Sequence, residues 1–138
     1  MIINSILLRL IISAIVGLAI GLIFKHKDYP RVFALICVGA ALVTIVSIEF
    51  FRFTYLPWHS DPGRIAAQII SALGFIGAGF IWISEKKEII GLAHSAALWY
   101  TAIIGMFIGT GLSTVTVAVL TFVAMLYIVG TTIIRKMK

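Results

Sequence analysis

Five side chains stand where polar chemistry is expensive, inside or beside long apolar runs: Arg9, Glu49, Asp61, Arg64 and Gln68. Arg9 lies about two helical turns into the first apolar run, and Glu49 lies near the end of the second, which must run the opposite way. Antiparallel neighbours would bring the two to similar depth, where they could form an ion pair. Arg52, Asp61, Arg64 and Gln68 follow near the same end, and Arg64 and Gln68, four apart, share one side of a helix. Ionisable groups at membrane depth are functional suspects because they are costly to keep there. Together these residues could line a polar pocket for a ligand or a protein partner. Arg9, Arg52 and Arg64 outnumber Glu49 and Asp61, which suits an anionic group better than a cation filter. A plainer reading stays open for each. Glu49 and Arg52 could snorkel to the interface, Asp61 could only cap a helix, Arg9 could be structural, and Gln68 could bond a neighbouring helix.

Catalytic signatures are missing. There is no His-Glu-x-x-His metal motif and no Walker loop. Gly111-Leu-Ser113-Thr114 only faintly echoes a nucleophile turn, and His59-Ser60-Asp61 are adjacent in sequence, which is not triad geometry. A magnesium site needs oxygen ligands, and Glu49 and Asp61 are the only acids at that end, so no metal ligand set is defined. His94 reads as interfacial filler or a pH sensor, and Cys37 as a small hydrophobe. The expectation is a non-enzymatic protein without a cofactor.

The elements that must position these residues follow from composition. Of 138 residues, 62% are hydrophobic and 12% charged, and the mean hydropathy is +1.16. A soluble domain needs about twice that share of charge to clothe its surface. Disorder is excluded by the same numbers, and a disulfide scaffold by the lone Cys37. The reading is an all-α integral membrane protein, a single domain over residues 1–138 with five spans at 3–24, 32–51, 64–83, 93–110 and 113–134. The first apolar run is too long, and lacks the basic start, for a signal peptide. Lys25, Lys27, Arg31, Lys86, Lys87, Arg135, Lys136 and Lys138 then share one side. The positive-inside rule makes that side cytoplasmic and the N-terminus external. The net charge of +6 is thereby a topology signal, and no nucleic-acid partner is expected.

Smaller features complete the pattern. Tyr55, Trp58 and His59 fit an interfacial aromatic belt. Asp61 followed by Pro62 reads as an N-cap with proline in the first helical position. Small residues recur at helical spacing: Ser13, Gly17 and Gly21 in the first span, and Thr101, Gly105 and Gly109 in the fourth. Such stripes let helices approach closely in lipid, within the bundle, against a partner, or against a second copy. Gly74, Gly77 and Gly79 predict close packing or a backbone break in the third span. Glu85-Lys86-Lys87-Glu88 is a charge-balanced inner turn.

At the third span the sequence resembles a known family. Asp61-Pro-Gly-Arg64-Ile-Ala-Ala-Gln68-Ile-Ile-Ser71, then Gly74-Phe-Ile-Gly77-Ala-Gly79, Gly91-Leu and Ala97-Leu-Trp99 are similar to the MgtC/SapB family of bacterial inner-membrane proteins. Arg31, Ala34-Leu35, Gly39-Ala-Ala41, Gly17 and Gly21 also fit it. The chain departs where the family has Glu-Arg at the end of its first helix, here Ile23 and Phe24. It departs again at Val32-Phe33, where Thr-Asn is usual, and at Ala93. Many members carry a cytoplasmic C-terminal domain, which a chain ending at Lys138 is expected to lack. The resemblance implies five helices with the N-terminus outside, multi-pass placement in the inner membrane, and a part in low-magnesium adaptation, with virulence in pathogens. It implies action through membrane partners, including the ATP synthase and magnesium transporters. The rival reading is a carrier or channel for a cation or small polar solute through the outer polar residues.

Overall fold

The computed structural model describes residues 2–24, 27–54 and 61–136, with side chains at 5–24, 27–51, 61 and 63–125. Five helices account for most of it: α1 (Ile2–Ile23), α2 (Tyr29–Thr54), α3 (Pro62–Ala78), α4 (Leu92–Thr110) and α5 (Thr114–Lys136). Helices are what apolar sequence forms in lipid, because each backbone N–H and C=O is then paired within its own segment. Among the described residues, Ser5–Ile23, Tyr29–Phe51 and Leu92–Thr110 are long and apolar enough to cross a membrane, whereas Gly63–Ala78 and the part of α5 whose side chains are described, Thr114–Met125, are shorter apolar stretches. The protein is a helical membrane protein.

Two boundaries differ from expectation, and the cap of α3 agrees with it. Pro30 belongs to the first turn of α2, where a missing N–H costs nothing. Asp61 caps α3, its Oδ1 accepting from the Gly63 N–H at 2.8 Å, with Pro62 opening the helix. The third span, expected to reach residue 83, ends at Ala78. The chain then tightens, with the Phe80 and Ile81 N–H groups donating three residues back, and enters a short antiparallel hairpin, β1 (Trp82–Ile83) and β2 (Ile89–Ile90). The expected belt residues Tyr55, Trp58 and His59 lie outside the described residues, as does the side chain of Arg52.

α2 and α4 form the centre, running parallel, and each touches both α1 and α3. Two helices that both fill grooves of one pair without packing on each other must lie on opposite sides of it. The small-residue stripes of α1 and α4 both face α2. A Cβ at Gly17 would stand 2.7 Å from Ala34 Cα, a Cβ at Gly105 would collide with the Cys37 carbonyl, and one at Gly109 would stand 2.6 Å from the Ala41 carbonyl. Ser13 and Thr101 are fully buried in the same seams. Gly77 packs α3 against Ser95 of α4, while Gly74 has open space beside it and Gly79 meets only the Ile76 carbonyl of its own turn. α5 lies along the outside of the core, with Leu120 and Val123 against Cys37, Ile104 and Ile108.

The contacts order the bundle by its ends. The start of α1, the end of α2, the start of α3, the end of α4 and the start of α5 share one end. Phe24, Tyr29 and His94 meet at the other, with ring centroids 5.0 to 6.2 Å apart. Lys27, Arg31, Lys86 and Lys87 lie at that second end.

Candidate functional site

Arg9 is half-buried, and its Nη1 donates to the Gly109 carbonyl at 3.2 Å. Gly109 lies in the last turn of α4, where carbonyls have no partner within the helix and carry the negative end of its dipole. A guanidinium there supplies both a donor and an opposing charge. Gly111, at φ +130°, turns the chain out of α4, and a side chain there would press on the guanidinium, with Arg9 Nη2 3.3 Å from its Cβ.

The turn beyond is closed by hydroxyls. Thr116, fully buried, donates its Oγ1 hydrogen to the Gly111 carbonyl at 2.6 Å, with the Phe107 carbonyl at 3.2 Å. Ser113 Oγ lies 3.2 Å from Thr116 Oγ1 and accepts from the Thr116 N–H at 3.3 Å, which caps α5. Thr110 Oγ1 donates to Phe107 at 2.8 Å. In the sequence Ser113 stands out only as part of a faint nucleophile turn, and Thr116 not at all. Their signal was available in Gly109-Thr-Gly-Leu-Ser-Thr114, a turn that must satisfy the ends of two apolar helices.

Of the other predicted residues, those of α3 separate from Arg9. Glu49 is half-buried on α2 and has an interaction partner. Asp61, Arg64 and Gln68 belong to α3, across the α2–α4 pair from α1. Asp61 is the exposed cap. Arg64, Gln68 and Ser71 are all exposed, and their spacing of four and three puts them in one row on α3. The helix turns Gly63, Ala66 and Ile70 the other way, towards α2 and α4. There they border a cavity of about 510 Å³ with Thr44, Ser47 and Thr110. Its walls are apolar apart from those hydroxyls, and none of the five predicted polar residues lines it. Among the described residues, no group of three or more His, Cys, Asp or Glu side chains could hold a metal ion.

The residues around this site match one known family along nearly the whole chain: residues 10–136 fit the MgtC family. The chain belongs to the MgtC family. Relatives of this MgtC-family chain have names that span its members. YhiD of Escherichia coli K12, whose name makes it a candidate magnesium transporter, is 41% identical over 111 residues, 77% of this chain and 51% of that protein. SapB of Bacillus subtilis is 40% identical over 112 residues, covering 78% and 48% of the two chains. MgtC of Brucella abortus is 38% identical over 90 residues, covering 64% and 35%. The chain spans about half the length, or less, of these curated relatives. No solved structure matches it. The stretch Asp61–Gly79 that carries the MgtC/SapB resemblance is therefore α3 and its cap, with Arg64 and Gln68 on the face turned away from the bundle.

Proposed function

We propose that this MgtC-family chain is a non-enzymatic protein of magnesium homeostasis that modulates other membrane proteins through the exposed face of α3. The observation that carries the reading is the pair Arg64 and Gln68, exposed on an apolar helix, with Ser71 in the same row donating to its own helix at Ala67. Polar groups facing lipid are costly, and membrane helices hide them against other helices or water. The small-residue stripes of α1 and α4 are occupied by α2, so they are not free for a partner, and the polar row of α3 is the face offered to one. The family resemblance implies magnesium transporters or the ATP synthase as that partner, with a second copy of the chain as the alternative, and the name of one relative, YhiD, supports the tie to magnesium. In this reading five helices cross the bacterial inner membrane with the N-terminus outside, and the basic residues gathered at the opposite end support that orientation.

The test is growth of a deletion strain across magnesium concentrations, complemented with wild type, Arg64→Ala or Gln68→Ala. The expected result is a defect at low magnesium that wild type restores and the variants do not, with normal folded yield. Pull-down from detergent should recover a membrane partner with wild type and lose it with the variants. Normal growth of the deletion strain at every magnesium concentration would sink the proposal.

A second reading, a carrier for a small solute, draws on the cavity bordered by Thr44, Ser47 and Thr110. It predicts flux in liposomes that depends on those hydroxyls. Its largely apolar wall disfavours passage of a hydrated cation, which must keep or replace its oxygen ligands.

A further inference from the structure

The hairpin between α3 and α4 is a well-built element with an unusual surface. The Ser84 N–H donates to the Glu88 carbonyl at 2.9 Å, and the Lys87 N–H to the Ser84 carbonyl at 2.9 Å. Ser84 Oγ accepts from the Glu88 N–H at 3.2 Å. Lys87 takes a left-handed conformation at φ +60° inside this turn, and Gly91 closes the base at φ +91°, against the Phe80 carbonyl. Trp82 pairs with Ile90 and Ile83 with Ile89, so one pair faces each side of the ribbon. Both sides are bare: Trp82 is 55%, Ile83 73% and Ile89 65% exposed. The charged residues Glu85, Lys86, Lys87 and Glu88 all gather at the tip.

Two physical constraints fix the surroundings of such a ribbon. Apolar side chains on both faces disfavour water, where a lone two-stranded hairpin is marginal at best. Strand edges with unpaired backbone groups cannot lie in hydrocarbon, where nothing satisfies them. The headgroup–acyl boundary meets both demands, and it is where tryptophan concentrates. Helix length agrees. The 17 residues of α3 span about 26 Å, and the tight turns through Ile81 extend this towards the about 30 Å of a bilayer core. The hairpin then emerges at the level of the far interface.

We infer that Trp82–Ile90 is an interfacial anchor, its apolar faces sunk into the acyl boundary of one leaflet and its charged tip among the headgroups. The occupant of this surface is phospholipid. By holding the α3–α4 connection at fixed depth, the anchor sets the depth of α3 and of its Arg64–Gln68 row.

The experiment uses the whole chain carrying Trp58→Phe and Trp99→Phe, which leaves Trp82 as the single tryptophan of three. It is reconstituted in vesicles of phosphatidylcholine and phosphatidylglycerol. Lipids brominated near the top of the acyl chain should quench Trp82 at least about twofold more than lipids brominated near the chain end, with weak quenching by aqueous iodide. Strong iodide quenching without bromolipid quenching overturns the anchor, and so does quenching by neither, which would mean a protein covers the ribbon. If that variant does not fold, a Cys37→Ala background with Ile83→Cys or Lys86→Cys answers the same question in native membranes. A water-soluble maleimide should label Lys86→Cys about tenfold faster than Ile83→Cys; equal rates overturn the inference.

Discussion

Arg9 and Gly109 are one hundred residues apart in sequence and joined by a hydrogen bond of 3.2 Å from Nη1 to the backbone carbonyl. The contact ties the start of α1 to the end of α4 and matches a cation to the negative pole of a helix. It gives an arginine at membrane depth a structural use that requires no ligand.

Replacing Arg9 removes that tie. Arg9→Met should lower stability in detergent by about 1.5–3 kcal/mol, the usual worth of a hydrogen bond to a charged group. Arg9→Lys should recover part of the loss, since it keeps the charge and one donor. Thermal unfolding followed by circular dichroism measures both, and an unchanged midpoint for Arg9→Met would refute the role.

Thr116 is a second support of the same corner. Thr116→Val keeps the shape and deletes the hydroxyl that serves the Gly111 carbonyl at 2.6 Å. The expected cost is about 1–3 kcal/mol, because a buried acceptor loses its donor. Thr121→Val is the control: Thr121 is exposed and bonds only its own helix at Val117, so its unfolding midpoint should barely move.

The glycines should divide by what lies beside them. Gly105→Ala drives a methyl into the Cys37 backbone and must force α2 and α4 apart, so folded yield should fall sharply. Gly74→Ala enters open space and should be neutral or stabilising, by up to about 1 kcal/mol from helix propensity. Equal yields for the two variants, compared by gel filtration in detergent, would contradict this packing.

Gly91→Ala tests the hairpin base. Its left-handed backbone costs a residue with a Cβ about 1–2 kcal/mol, and the methyl would also meet the Phe80 carbonyl. The ribbon should open while the five helices persist. Hydrogen exchange should then quicken at the Ser84 and Glu88 amides and stay unchanged in α4; unaltered protection at Ser84 would refute the prediction.

Much of this was legible in the chain itself. Runs of apolar residues near the length of a bilayer declared the helices, Asp61-Pro62 declared the start of α3, and the Asp61–Gly79 phrase declared the family. These are local signals, carried by hydropathy and by neighbours within a turn or two. The partners of the polar residues were not legible. Arg9 and Arg64 lie near the starts of two parallel helices, and depth alone allowed them one shared pocket. Packing decided otherwise, because Gly17, Gly105 and Gly109 draw α1 and α4 onto α2 and leave α3 on the far side. The end of α3 escaped for a similar reason. Trp82, Ile83, Ile89 and Ile90 are as apolar as helix residues, and only the Gly91 closure and the Ser84–Glu88 turn make them a ribbon. Sequence determined which segments form apolar helices; tertiary structure decided which faces meet, since small-residue stripes are alike in one dimension and only the fold separates those that pack from those that face open space.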